Sequence, residues 1–254
     1  MPGPIQSIER AAAVLRLLAR GSGRMAVGEI AGALGLAKPT AHGILRTLQG
    51  VGFVDQDPAS GKYGLGSAMR QLGAGYLDAN ELRSRAINRA DTLAARSGES
   101  VRIATPADGG VRVIHHVFRP DNSEQALAVG EMLPAHATAL GKVLLAYDSE
   151  LSAAVRDRDL PALTHRTIVD HAALGRVLTE IRRTGWAGDI GEYRSGEAGI
   201  AAPIRARGGL VVGAIGISGP LEHLCDGQLR FRPAFLGQVG DAAAAVSRDL
   251  GGAQ

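Results

Sequence analysis

The chain has little with which to cross-link itself, chelate a metal or cross a membrane. Its one cysteine, Cys225, excludes an internal disulfide and any multi-cysteine metal site, and reads as a small packed residue. Four Phe, four Tyr and one Trp among 254 residues leave the core to Ala, Val, Leu and Ile, with 35 Gly permitting close approach. No stretch reaches about 18 uninterrupted apolar residues, the length a membrane helix needs. Met1-Pro2-Gly3-Pro4 has neither the basic nor the apolar region of a secretion signal. The expectation is a soluble, cytoplasmic protein without a membrane partner. Internal repeats and low-complexity tracts are also missing, and 45% hydrophobic residues exclude wholesale disorder.

What is present is uneven. The net charge of +3 hides a division. Residues 1–77 hold eight Lys/Arg against four acids, whereas the remaining 177 residues hold 20 basic and 21 acidic side chains. A positive excess confined to the N-terminal third suits a polyanion-binding module attached to a neutral domain. The length fits two domains, of about 80 and 170 residues.

The N-terminal third shows three helices and a hairpin. Ser7 is placed to cap the first, with Ile8, Ala12, Leu15 and Ala19 on one face, and Gly21-Ser22-Gly23 ends it. Val27–Leu34 is the second, closed by Gly35 in a left-handed turn. The third starts at Lys38-Pro39-Thr40, where proline suits a first turn, and Ile44, Leu45, Leu48 and Val51 form its apolar stripe. Its other face carries His42, Gly43, Arg46 and Gln49, flanked by Thr40 and Thr47, with no acid. Two helices joined by Gly-Leu-Ala fit a helix-turn-helix. Alternating residues around Asp57-Pro58-Ala59-Ser60-Gly61 add a β-hairpin, completing a winged helix-turn-helix over 1–66. A linker helix is expected over 67–80.

Residues 81–254 alternate strand pairs with helices. The pattern predicts a helix over 82–96, strands 100–105 and 111–118, helices near 138–147, 149–157 and 171–184, strands 200–205 and 210–218, and a last helix over 233–250. Hairpins interleaved with helices mean α+β with an antiparallel sheet.

These strings resemble the IclR family of transcription regulators over nearly the whole chain. Ser7-Ile8-Glu9-Arg10-Ala11, Leu36 through His42 and Gly61-Lys62-Tyr63-Gly64-Leu65-Gly66 are similar to its winged helix. Leu133 through Lys142, Gly185 through Glu192, Gly199 through Ile204 and Ile217-Ser218-Gly219-Pro220 follow in the family's order. Within it, Ala41 through Gln49, Tyr76-Leu77-Asp78 and His115 through Asp121 resemble actinomycete glycerol-operon regulators. The resemblance implies a GAF-like effector-binding and oligomerisation domain over 81–254, a homodimer or homotetramer, and a palindromic double-stranded DNA operator. It also implies a small anionic metabolite, glycerol 3-phosphate among the candidates, as the signal.

At the DNA-facing helix, Arg46 is the candidate base reader, since Arg pairs with guanine bidentately in the major groove. His42 and Thr40 come next, Lys38 and Thr47 are candidate phosphate holders, Pro39 sets the helix start, and Lys62 on the wing reaches a phosphate. Gly43 stands where many family members carry Arg, so their operators do not transfer. The resemblance places Ala139, Leu140, Asp189, Gly199, Gly216 and Ser218 around the effector. Gly199 and Gly216 replace hydroxyl or thiol residues, which implies a roomier pocket for a larger or differently anchored molecule. For an anion, His136, Arg102 and Arg119 are candidate charge partners. No metal or cofactor is expected: His115 and His116 are adjacent on a strand and face opposite ways.

Two other classes remain open. An enzyme with an appended DNA-binding module would need catalytic strings such as Gly-x-Ser-x-Gly, a P-loop or a dinucleotide fingerprint, and residues 78–254 contain none. An effector-blind architectural DNA binder would not need so large a second domain.

Overall fold

A computed structural model describes residues 5–20, 24–58, 60–66, 68–69, 79–107, 110–121 and 123–251. The chain forms two compact units, 1–76 and 77–254. The linker helix expected over 67–80 falls mainly on residues 67 and 70–78, outside the described residues.

The first unit contains α1 (Gln6–Arg20), α2 (Val27–Leu34), α3 (Lys38–Gly50), β1 (Val54–Gln56) and β2 (Tyr63–Leu65). The Glu29 carboxylate accepts from the Ala26 N–H at 2.6 Å, closing the start of α2. Gly35 ends α2 at φ +62°, where a side chain would be strained. Val14, Leu18, Ile30, Leu45, Leu48, Val54 and Tyr63 make one small core. Met25 and Tyr63 exchange both backbone hydrogen bonds, at 2.9 and 2.8 Å, which adds a third short strand to the hairpin.

Three local expectations are corrected here. Helix α1 begins at Gln6, so Ser7 lies inside it rather than capping it. Ile8 is 63% exposed, because the first turn extends past the core and Val14 and Leu18 face inward instead. Val51 is 55% exposed, since α3 has ended and Gly52, at φ +72°, turns the chain away.

The second unit holds α4 (Ala79–Ser97), β3 (Ser100–Ala107), β4 (Gly110–Val117), β5 (Met132–Leu133), α5 (Ala139–Tyr147), α6 (Ser149–Arg156), α7 (His171–Thr184), β6 (Ala187–Ile190), β7 (Glu197–Arg205), β8 (Val211–Pro220), α8 (Leu221–Leu224) and α9 (Pro233–Asp249). The six strands form one antiparallel sheet in the order β5-β4-β3-β8-β7-β6. Strand alternation builds a core on each face. Val101, Ile103, Ile200, Ala202, Ile204, Ile215 and Ile217 meet Leu82, Ala86, Ala90 and Leu93 of α4 and Val239, Ala243 and Val246 of α9. Val111, Val113, Ala201 and Ala214 meet Leu144 and Leu145 of α5 and Leu174, Leu178 and Ile181 of α7. The α+β class with an antiparallel sheet is as the pattern indicated.

The pattern missed β5, β6 and α8. In β6, a Cβ at Gly188 would lie 2.1 Å from the Phe231 ring, so glycine is what lets that ring, stacked edge-to-face on Trp186 at 5.9 Å, cover the strand.

Two glycines respond oppositely to a methyl group. Gly43 lies mid-helix with open space around its Cβ direction, so Gly43→Ala is expected to stabilise the first unit by up to about 1 kcal/mol. A Cβ on Gly66 would lie 2.2 Å from the Gly52 carbonyl oxygen, so Gly66→Ala is expected to destabilise the hairpin by roughly 1–3 kcal/mol. Amide hydrogen exchange in α3 and the hairpin of the full chain checks the pair; shifts of the same sign would refute this packing account.

Candidate functional site

Helix α3 turns Ala41, Leu45 and Leu48 into the core, and that fixes what it shows outward. Lys38, Pro39, His42, Gly43, Arg46, Thr47 and Gln49 are exposed, and Thr40 is half-buried beside them. The Thr47 hydroxyl donates to the Gly43 carbonyl within the helix at 3.0 Å, so as a phosphate donor it would first give up that bond. Lys62 is exposed at the foot of β2, in a turn held by Asp57 N–H to Lys62 C=O (2.9 Å) and Gly61 N–H to Asp57 C=O (2.8 Å).

The acids of this unit are mostly engaged within it. Asp55 pairs with Arg24 at 2.8 Å, Glu29 caps α2, and Asp57 accepts from the Ser60 hydroxyl at 2.7 Å. The α3 face and Lys62 therefore present cations with no carboxylate on the helix to offset them, the electrostatic form of a phosphate-backbone surface.

In the second unit the strand register lays out two rows of side chains on one face of the sheet. Asp189, Gly199, Ser218 and Ser100 are successive cross-strand partners from β6 to β3. Two residues along, Ala187, Ala201, Gly216, Arg102 and His116 form the parallel row. Over these rows lies the start of α5. Thr138 caps it, its hydroxyl oxygen accepting from the Gly141 N–H at 3.1 Å, while the first N–H groups of Ala139 and Leu140 lie at the open, positive end of the helix. The cavity has a volume of about 40 Å³ and is lined by Ala139, Leu140, Asp189, Gly199, Gly216 and Ser218 together with Arg102, Leu133 and Tyr193.

The structure thus brings together every pocket residue named from the sequence except His136. That ring is buried with its Nε2 3.0 Å from the Pro161 carbonyl oxygen, and it does not line the cavity. Nor is there the extra room that the two glycines suggested. A Cβ at Gly216 would lie 2.4 Å from the Ile200 carbonyl oxygen, so that glycine permits close strand approach rather than opening space. A Cβ at Gly199 would come within 3.1 Å of the Asp189 carboxylate. Arg119 is engaged with Asp121 at 2.5 Å and Glu99 at 3.7 Å.

Beneath the cavity is a buried ionic group that sequence reasoning missed. Lys142, 1% exposed on α5, pairs with Glu192 at 2.5 Å, and Asp189 lies beside them. A lysine inside the apolar run Ala139–Ala146 was the available signal, because a buried ammonium must find a partner. Asp189 Oδ1 accepts from the Glu192 N–H at 3.3 Å and the carboxyl also accepts from the Tyr193 N–H, yet burial pushes it up to about 6 against the pull of Lys142. Along the second row, His116 Nδ1 accepts from the Ala128 N–H at 3.2 Å, so its Nε2–H donates to Ser100 Oγ at 2.8 Å. That tautomer cannot take a proton from Ser100, so the pair is not a hydrolytic dyad. His115, paired with Ile103, faces the other side, and among the described residues no cluster of three His, Cys, Asp or Glu is placed to hold a metal.

A carboxyl whose folded pKa exceeds its unfolded value binds more protons when folded, so its burial penalty is absent in acid and grows as pH rises to about 6. Asp189→Asn is therefore expected to match wild-type stability near pH 4 and exceed it by up to roughly 3 kcal/mol at pH 8. Urea denaturation across that range checks this; a constant difference would show that Asp189 does not titrate there.

Comparison with known proteins agrees with this arrangement. Residues 7–58 match the IclR helix-turn-helix domain, and residues 74–248 match the bacterial transcriptional regulator IclR C-terminal domain. The chain is 52% identical over 248 residues to the glycerol operon regulatory protein of Streptomyces coelicolor, covering 97% of each, and 51% identical to that of Streptomyces griseus, again covering 97% of each. A crystal structure of an IclR-type regulator from Alicyclobacillus acidocaldarius superposes with a TM-score of 0.59 at 30% identity, covering 97% of this chain and 99% of that one. No described helix is long and apolar enough to cross a membrane. With a cationic helix-turn-helix face in one unit and a capped-helix cavity in the other, the chain belongs to the IclR family of bacterial transcription regulators, DNA-binding proteins with a C-terminal effector-binding domain.

Proposed function

We propose that this regulator controls a glycerol-catabolism operon in the cytoplasm, as a homodimer or homotetramer, and that its effector is a small anionic metabolite, glycerol 3-phosphate. The observation that carries this reading is 52% identity, across 97% of both chains, to a regulator whose own operon is that of glycerol. The cavity chemistry supports it: helix N–H groups and an arginine for the anion, Asp189 and Ser218 for hydroxyls. In this reading Arg46, His42 and Thr40 read bases, Lys38, Thr47 and Lys62 hold phosphates, and Pro39 sets the start of the helix that presents them. Residues 67–80 connect the DNA-binding part, 1–66, to the effector and oligomerisation part, 81–254.

The DNA half is tested by two substitutions. Arg46→Ala is expected to lose roughly 1–3 kcal/mol on the sequence upstream of the regulator's own gene and far less on scrambled duplex. Lys62→Ala is expected to weaken both equally and lower the salt dependence. Fluorescence anisotropy at two salt concentrations separates them; identical behaviour of the two variants would remove the assignment of roles. The effector half is tested by thermal shift of the full chain. At a hundredfold excess over Kd, glycerol 3-phosphate is expected to add about 2.7 kcal/mol of stability. An unmoved melting temperature at millimolar ligand would favour an effector-blind DNA binder.

A further inference from the structure

The cavity of about 40 Å³ has room for only a few waters. Immediately outside it lies a groove of about 660 Å³, and the two share Arg102, Arg194, Glu197 and Ser218. A metabolite in this unit must therefore extend through the shared neck, and the two cross-strand rows define what it meets. Asp189 stands at the β6 end and Arg102 at the β3 end, with Gly199, Ser218, Ala201 and Gly216 between them. Of those four only Ser218 carries a polar side chain, so the path from the carboxyl to the guanidinium is clear of bulky groups.

The neck is also where a cation stands without a counter-charge. Arg194 lies between Glu131 at 3.7 Å and Glu197 at 3.9 Å, and Glu131 also accepts from the Tyr193 hydroxyl at 3.1 Å. Arg119 has Asp121 and Glu99. Arg102 has no ion pair among the described residues, and its buried Nε has no hydrogen-bond partner. Its cross-strand neighbour on β4 is His116, whose ring burial and the Arg102 charge keep neutral and whose Nδ1 accepts from the Ala128 N–H; on β8 it is Gly216, which has no side chain to answer it.

We propose that Arg102 is the residue by which this regulator selects a phosphate ester: the guanidinium takes the phosphate at the neck, and the polyol end lies inward over Ser218 and Asp189. This rests on the reading of the cavity as the effector site and adds the ligand's direction and charge requirement. Inorganic phosphate alone would engage Arg102 weakly, and glycerol alone would lack the group that Arg102 requires.

Isothermal titration of the full-length protein with glycerol 3-phosphate, dihydroxyacetone phosphate, inorganic phosphate and glycerol tests it, in wild type, Arg102→Met, Arg102→Lys and Arg183→Met, the last an exposed residue of α7 that lines neither cavity nor groove. Arg102→Met is expected to weaken the three-carbon phosphates at least 30-fold, Arg102→Lys to weaken them several-fold, and Arg183→Met to leave them within twofold. Wild-type affinity for glycerol 3-phosphate in Arg102→Met would overturn the role of Arg102 while leaving glycerol 3-phosphate as effector. Arg102-dependent binding of dihydroxyacetone phosphate alone would support the role of Arg102 and displace the proposed effector. No binding of either three-carbon phosphate by wild type would overturn both. Should Arg102→Met fail to fold, Arg102→Lys decides, because unchanged affinity in the variant that keeps the charge but loses the fork excludes bidentate phosphate recognition.

Discussion

The cavity-lining side of the second unit depends on one register, that of β7 against β8. Ile200 opposite Ile217 and Ala202 opposite Ile215 bury one face of both strands, which obliges Gly199 opposite Ser218 and Ala201 opposite Gly216 to occupy the other. A one-residue slip would send isoleucines into the cavity and put Ser218 and the carboxyl-facing Gly199 into the core beneath α4 and α9. Because β3 pairs with β8 on the far side and β6 with β7 on the near side, the same register sets the places of Arg102 and Asp189. The hydrophobic effect, acting on one face, thus positions the polar chemistry of the other.

The first unit uses the same logic with charge in place of register. Three of its four acids, Glu29, Asp55 and Asp57, are held by a helix start, an arginine and a hairpin hydroxyl. The core contacts of Ala41, Leu45 and Leu48 fix the rotation of α3, and rotation alone decides that His42, Gly43 and Arg46 are presented. A net excess of only four positive charges in 77 residues becomes a directional field because the negative groups are engaged elsewhere.

Much of this was legible in the chain. Helical and strand periodicity gave the long elements within a few residues, since each has one apolar face to bury, and the buried stripe of α4 is the one its spacing implies. The pocket residues could be named because four ordered strings carried a family resemblance, not because spacing alone places Asp189 near Ser218. Failures arose where a single residue answers to a distant partner. Gly216 looked like spare volume until the Ile200 carbonyl was found against it. His136 looked like an anion ligand but satisfies a backbone carbonyl 25 residues away. Such pairings have no local signature.

The buried ionic group bears on function. Lys142 and Glu192 pair, although the second Glu192 oxygen, Oε2, is buried without a hydrogen-bond partner. Asp189, beside them, accepts from the Glu192 and Tyr193 N–H groups and feels the Lys142 charge, yet burial keeps its affinity for a proton raised. Of the three side chains it is the one that lines the cavity. A hydroxyl or a proton arriving there relieves the burial penalty, and the energy released differs between empty and occupied states. That difference is the condition any effector must meet to shift a conformational equilibrium.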